Sequence, residues 1–219
     1  MKMISSIILL VCLVVSVDLL NSKTGSNEMD TFLEKMFKCA NNHNLSALEE
    51  LSSQVELRNS KLLAKAYSLA LYIASPKKYE QQYIDSFPTD YEGIMLELYE
   101  QIELKGLTPK FLFSIEAIGL IAEGGNEKAI EKILLGNIHS DGVVNELFCD
   151  ILVKLFTKQP EKALRSLSRL NKEQREKNYS CFNLMDLRGF TLLRDNLKKL
   201  KSKASESEMK VLFEIESYR

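Results

Sequence analysis

The stretch from Tyr79 to Glu103 holds the side chains best suited to chemistry. Glu80, Asp85, Asp90, Glu92, Glu97, Glu100 and Glu103 stand there without one Lys or Arg, interleaved with Tyr79, Tyr83, Phe87, Tyr91 and Tyr99. Paired carboxylates can share general acid and general base work. Asp85 and Asp90 flank Pro88, and Glu97 and Glu100 fall on one helix face, an arrangement a glycosidase could use. The same residues can instead bind. Tyrosine rings offer rigid contact area and carboxylates steer cationic groups, so Tyr83, Asp90, Tyr91, Glu92, Glu97 and Tyr99 form a contact set for a protein with a basic surface. The plain structural reading is two amphipathic helices whose rings pack inward and whose acids are solvated.

The C-terminal third is biased the other way. Arg188, Arg194, Lys198, Lys199, Lys201 and Lys203 face only Asp186 and Asp195, beside an apolar stripe of Leu192, Leu193, Leu197 and Leu200. Arg194, Lys198, Lys199 and Lys201 read first as the solvated face of a long helix. An acidic partner or an anionic membrane surface is the functional alternative.

Other chemistry is poorly provided for. The two histidines, His43 and His139, are far apart, and no phosphate-binding Gly-rich loop, His-Glu-x-x-His, Cys-x-x-Cys or Gly-x-Ser-x-Gly occurs. No cofactor or metal is called for. Twenty-nine basic residues against thirty acidic ones leave a net charge of −1, which argues against nucleic acid as a ligand.

The N-terminus carries an address. Lys2 precedes an unbroken apolar run from Ile7 to Val15, the pattern of an export signal. Cleavage is expected after Ser16 or Ser22, giving a signal over 1–22 and a polar spacer over 23–27. Asp18 interrupts the run before the roughly 20 residues a bilayer span needs, so an uncleaved anchor over 4–20 is the alternative and the one route to a membrane. The expected location is the periplasm or the extracellular space. Cleavage removes Cys12 and leaves Cys39, Cys149 and Cys181, which allow at most one internal bridge. The apolar setting of Cys149, in Leu147-Phe148-Cys149-Asp150-Ile151-Leu152, reads as a buried inert thiol, with a Cys149–Cys181 bridge as the lesser alternative.

These residues must be positioned by helices. The pattern predicts them over 28–41, 46–56, 59–74, 76–86, 90–104, 109–123, 126–135, 141–157, 160–170, 172–181, 184–201 and 205–217. Ser46 to Glu49, Thr89 to Glu92 and Ser205 to Glu208 have the spacing of capping boxes. Pro76, Pro109 and Pro160 suit first helical positions, and Gly106, Gly124, Gly125 and Gly136 suit helix ends. Only Leu187 to Leu193 carries a competing strand pattern, through Gly189, Phe190 and Thr191.

An internal echo runs through the middle of the chain. Asn126 to Ile133 aligns with Pro160 to Leu167, and at the same offset of 34 residues Ala117, Ile118 and Ile121 match Ile151, Leu152 and Leu155. With small Ala129 and Ala163 opening the second helix of each unit, the segment 109–170 resembles two helical-hairpin repeats of the tetratricopeptide or HEAT type. Asp141 and Arg175 stand where a tetratricopeptide unit closes with proline. The resemblance implies an architecture and no particular ligand: an all-α domain over 28–219, built as a short α-solenoid-like stack of antiparallel hairpins. On function, the sequence reads as an exported, non-enzymatic interaction module such as an assembly factor, inhibitor or scaffold. A secreted carboxylate-dependent hydrolase using the acids of 79–103 is the alternative.

Overall fold

Helix starts are set where a side chain can accept from the free amides of a first turn. The computed structural model describes residues 29–53, 60–89, 102, 105–107, 114–140, 142–185 and 187–218. The expected signal over 1–22, its expected spacer over 23–27 and the 90–101 tract lie outside them. The N-terminal part consists of α1 (29–41), α2 (Leu45–Leu51), α3 (Lys61–Ala74) and α4 (Pro76–Ser86). Then follow α5 (Ser114–Glu123), α6 (Glu127–Ile138), α7 (Gly142–Lys158), α8 (Pro160–Ser168) and α9 (Lys172–Tyr179). A 3-10 turn over Ser180–Leu184 leads into α10 (Leu187–Lys198) and α11 (Glu206–Ser217). No strand occurs among the described residues, and the segment with strand character, 187–193, is helical.

Several starts fall where the sequence places them. Ser205 and Glu208 form both halves of a capping box at α11. Pro76 and Pro160 occupy the first turns of α4 and α8. The Ser46 box is a correction: Asn44 caps α2 instead, its amide oxygen accepting from Ala47 N at 3.1 Å. Asn44 competes successfully because His43 before it takes a left-handed turn (φ 53°) and anchors its ring nitrogen 3.0 Å from Ala74 O. Asn171 and Gln174 form a capping box at α9 that the serine/threonine pattern overlooks.

The helices pack as antiparallel hairpins. α3 pairs with α4, α5 with α6, and α7 with α8, while equivalent helices 34 residues apart lie side by side, α5 against α7 and α6 against α8. One buried seam runs through them. Ala117, Ile118, Ile121, Ile151, Leu152 and Leu155 fill the first layer, and Ala129, Ile133, Ala163 and Leu167 the second. α11 closes the stack by laying Val211, Leu212 and Ile215 on α8 and α10. The domain is therefore all-α and single.

Gly136 corrects another expectation. It is no helix end, because α6 continues to Ile138. A Cβ at this position would lie 2.5 Å from Cζ of Phe148, a ring with no exposure at all. Gly136 is what lets α6 approach α7. Gly136→Ala should therefore destabilise the protein by about 1–2 kcal/mol in urea unfolding, the overpacking cost exceeding the roughly 1 kcal/mol that Ala gains in helix propensity. Stabilisation by this change would show that Phe148 repacks freely.

Candidate interaction surfaces and clefts

The described part of the acidic tract lies on α4 and the turn after it. Tyr83 is 3% exposed, stacked on Tyr72 with ring centroids 4.9 Å apart and edge-on to Phe87. It is a core residue and not a contact for a partner, which corrects that assignment. Tyr79 is half-buried, and its hydroxyl donates to Glu49 Oε1 at 3.1 Å, an oxygen shared with Lys78 Nζ at 3.3 Å.

Asp85 is exposed and accepts from Gln81 Nε2 at 2.9 Å and Lys128 Nζ at 3.3 Å. Lys132 Nζ reaches Phe87 O at 2.9 Å. A tract that holds no base in its own sequence thus receives two lysines from α6. The remaining members of the predicted set, Asp90, Tyr91, Glu92, Glu97 and Tyr99, lie outside the described residues.

The basic face is partly spent on local contacts. Lys198 lies 3.7 Å from Asp195, Lys199 donates to Asn196 Oδ1 at 3.2 Å, and Lys201 pairs with Glu216 at 2.8 Å while lying over the Phe213 ring. Arg194 is half-buried, and its Nε has no hydrogen-bond partner among the described residues. Surface pairs of this kind contribute at most about 1 kcal/mol each. Lys198 and Lys199 remain exposed.

Two clefts border α9, and neither was expected from the sequence. The first, about 650 Å³, opens between the end of α6, the start of α7 and α9, and is lined by Asn137, Ser140, Asn145, Glu173, Glu176 and Lys177 among others. Its floor is a network of amides. Asn137 Nδ2 donates to Asn178 Oδ1 at 3.1 Å, and Asn145 Nδ2 donates to Asn137 Oδ1 at 3.0 Å. Asn178 Nδ2 in turn donates to Leu134 O and Gln174 O. Asn137 and Asn178 are each 2% exposed, so this satisfaction is what makes their burial tolerable. Asn137, interrupting the apolar face of α6, was the available signal.

Beneath this network Cys149 and Cys181 are joined in a disulfide, with Cα atoms 4.8 Å apart and both sulfurs within 3.8 Å of Asn137 Oδ1. The inert-thiol reading of Cys149 is corrected. Its burial was legible, and the bridge to Cys181 weighed as the lesser alternative is the one that forms. Cys39, half-buried, remains a thiol.

The second cleft, about 590 Å³, lies between α9 and α11 around Tyr179, Glu214 and Tyr218. Arg175 grips Glu214 through Nε at 2.7 Å and Nη2 at 2.8 Å, and the Tyr179 hydroxyl donates to the same carboxylate at 2.8 Å. Arg175 beside it holds the Glu214 carboxyl below its usual range, against the desolvation that would raise it. Burial, reinforced by the Glu214 acceptor, pushes the Tyr179 phenol well above its ordinary value. The three groups are locked to one another, which suits a clamp and leaves no free base.

Among the described residues no group of three or more His, Cys, Asp or Glu side chains could hold a metal, and no helix is long and apolar enough to cross a membrane. The fold and its clefts define an all-helical stack of antiparallel hairpins with a buried disulfide. In comparison with known proteins, the chain matches no family model, no curated protein and no solved structure.

Proposed function

We propose that this chain is an exported, non-enzymatic protein-interaction module that uses a helical-hairpin scaffold to present a surface to another protein. The Cys149–Cys181 bridge carries the export half of this reading. Disulfides of this buried, structural kind persist in oxidising compartments, and the Lys2-led apolar run from Ile7 to Val15 is what would deliver the chain to one. Binding is favoured over hydrolysis because Asp85, the described acid of the candidate pair around Pro88, is paired with Lys128, and Glu214 in the second cleft is held by Arg175. A glycosidase pair needs two carboxyl groups facing one open site.

The partner chemistry we favour is a basic protein surface meeting Asp90, Tyr91, Glu92, Glu97 and Tyr99, the acidic and aromatic residues of the tract that follow Thr89 in the sequence. Two measurements test the proposal. Intact-mass analysis of natively expressed protein should find a chain lacking its first 16 to 22 residues in the extracytoplasmic fraction. A cytosolic species that retains Met1 overturns export. Capture of a basic partner from that fraction should weaken with added salt, and should fall at least tenfold for Tyr91→Ala or Glu97→Lys with helicity unchanged. Unchanged capture by both variants removes the tract from the interface.

A further inference from the structure

We propose that Asn44 is an N-glycosylation site of this protein and that Asn178, in the second Asn-x-Ser sequon, is excluded from modification. The inference rests on the export reading, since the transferase works in the secretory lumen of hosts that possess it. The chain holds two such sequons, Asn44-Leu45-Ser46 and Asn178-Tyr179-Ser180. The fold treats them in opposite ways.

Asn44 is exposed in the turn between α1 and α2, as is Ser46. Its amide oxygen makes the hydrogen bond to Ala47 N. The amide nitrogen is the atom that carries a sugar, so a glycan there leaves that bond intact. The turn is also held independently of Asn44: His43 adopts the left-handed conformation and binds Ala74 O. A bulky hydrophilic group at this place would project into water without disturbing α1, α2 or α3.

Asn178 has neither freedom. It is 2% exposed, and its amide nitrogen already donates to Leu134 O at 3.3 Å and Gln174 O at 2.9 Å. Tyr179 is buried as well, and the Ser180 hydroxyl is turned back onto Lys177 O at 2.6 Å. A sugar at Asn178 would have to sit between α6 and α9 beside the Cys149–Cys181 bridge. Chains modified there before folding could not close the amide network or bring Cys181 to Cys149.

The reaction balances with a lipid-linked oligosaccharide diphosphate as donor. A bond forms from Asn44 Nδ2 to the anomeric carbon. The bond from that carbon to the diphosphate oxygen breaks, the diphosphate leaves with the electron pair, and the amide proton passes to the transferase.

The test expresses the full chain in a eukaryotic secretory host in two forms, one with its own N-terminus and one with a host leader ahead of Met1. The secreted leader-borne protein should carry one glycan, removable by an amidase that leaves Asp at position 44. Ser46→Ala, which retains the Asn44 cap, should abolish the mass shift, whereas Asn178→Gln should leave it unchanged in whatever protein is secreted. A secreted chain without glycan, or a glycan that survives Ser46→Ala, overturns the proposal. Cytosolic retention of the form with its own N-terminus alone overturns the export reading, while the leader-borne form still reports on Asn44.

Discussion

Glu214→Ala is expected to lower the unfolding free energy by about 2–4 kcal/mol, less than a fully buried pair loses because the carboxylate is 22% exposed. The Arg175 side chain is 7% exposed and gives two of its donors to Glu214, and the Tyr179 hydroxyl gives a third. Without the carboxylate, the guanidinium keeps Leu170 O but loses the acceptor of its Nε and Nη2, and the Tyr179 hydroxyl loses its acceptor as well. The loss should appear as a lower urea midpoint at unchanged m. Arg175→Met combined with Glu214→Leu should recover most of it, because removing both charges also removes their desolvation penalty. A Glu214→Ala midpoint within experimental error of the parent would show that α11 is held by Val211, Leu212 and Ile215 alone.

The same clamp sets a pH dependence whose sign follows from its shifts. The folded-state carboxyl of Glu214 is depressed by Arg175 first, with Tyr179 also contributing, so its stabilisation is fully present above the unfolded pKa. It is lost as pH falls below about 4.3 and through the depressed folded value. The parent should therefore lose stability in that acid range more steeply than Glu214→Gln. Arg175, raised further above its ordinary value by Glu214, stays charged throughout, and Tyr179 stays protonated.

Removing the bridge is the second large effect. Cys149 and Cys181 are 32 residues apart, and releasing a loop of that length from the unfolded ensemble costs roughly 3–4 kcal/mol of stability in the chain-entropy treatment. Cys149→Ala with Cys181→Ala should lower the melting temperature accordingly. Both sulfurs lie in residues no more than 1% exposed, so dithiothreitol should act slowly on the folded protein and quickly once it is partly unfolded. Rapid reduction at low temperature without denaturant would mean that the 3-10 turn opens readily.

Much of the fold was legible because the signals that start and stop helices act within four residues. Ser205 and Glu208, Pro76 and Pro160, and the apolar spacing of Ile115, Ile118 and Ala122 carry their meaning locally. Where local reading failed, a second local signal stood close by. Asn44 lies two positions before Ser46 and caps a helix as well as a serine does, and the left-handed turn at His43 lets the helix begin at the earlier of the two. The binding assignment of Tyr83 failed for a longer-range reason: nothing around it announces that Tyr72, one helix earlier, will stack on its ring.

What the sequence determined by itself is the class of structure and the economy of its surface: helices, their ends, the echo between 126–133 and 160–167, and near-balanced charge. Those properties depend on composition and on neighbours along the chain. Tertiary structure alone decided which groups distant along the chain meet. It joined Cys149 to Cys181, set Arg175 on Glu214, drew Lys128 to Asp85, gave Gly136 to Phe148, and made one sequon accessible while burying the other. Each of these meetings depends on how two helices are rotated against one another. A helix turns about 100° per residue, so a displacement of one position sends a side chain to a different neighbour, and only the packed core settles that angle.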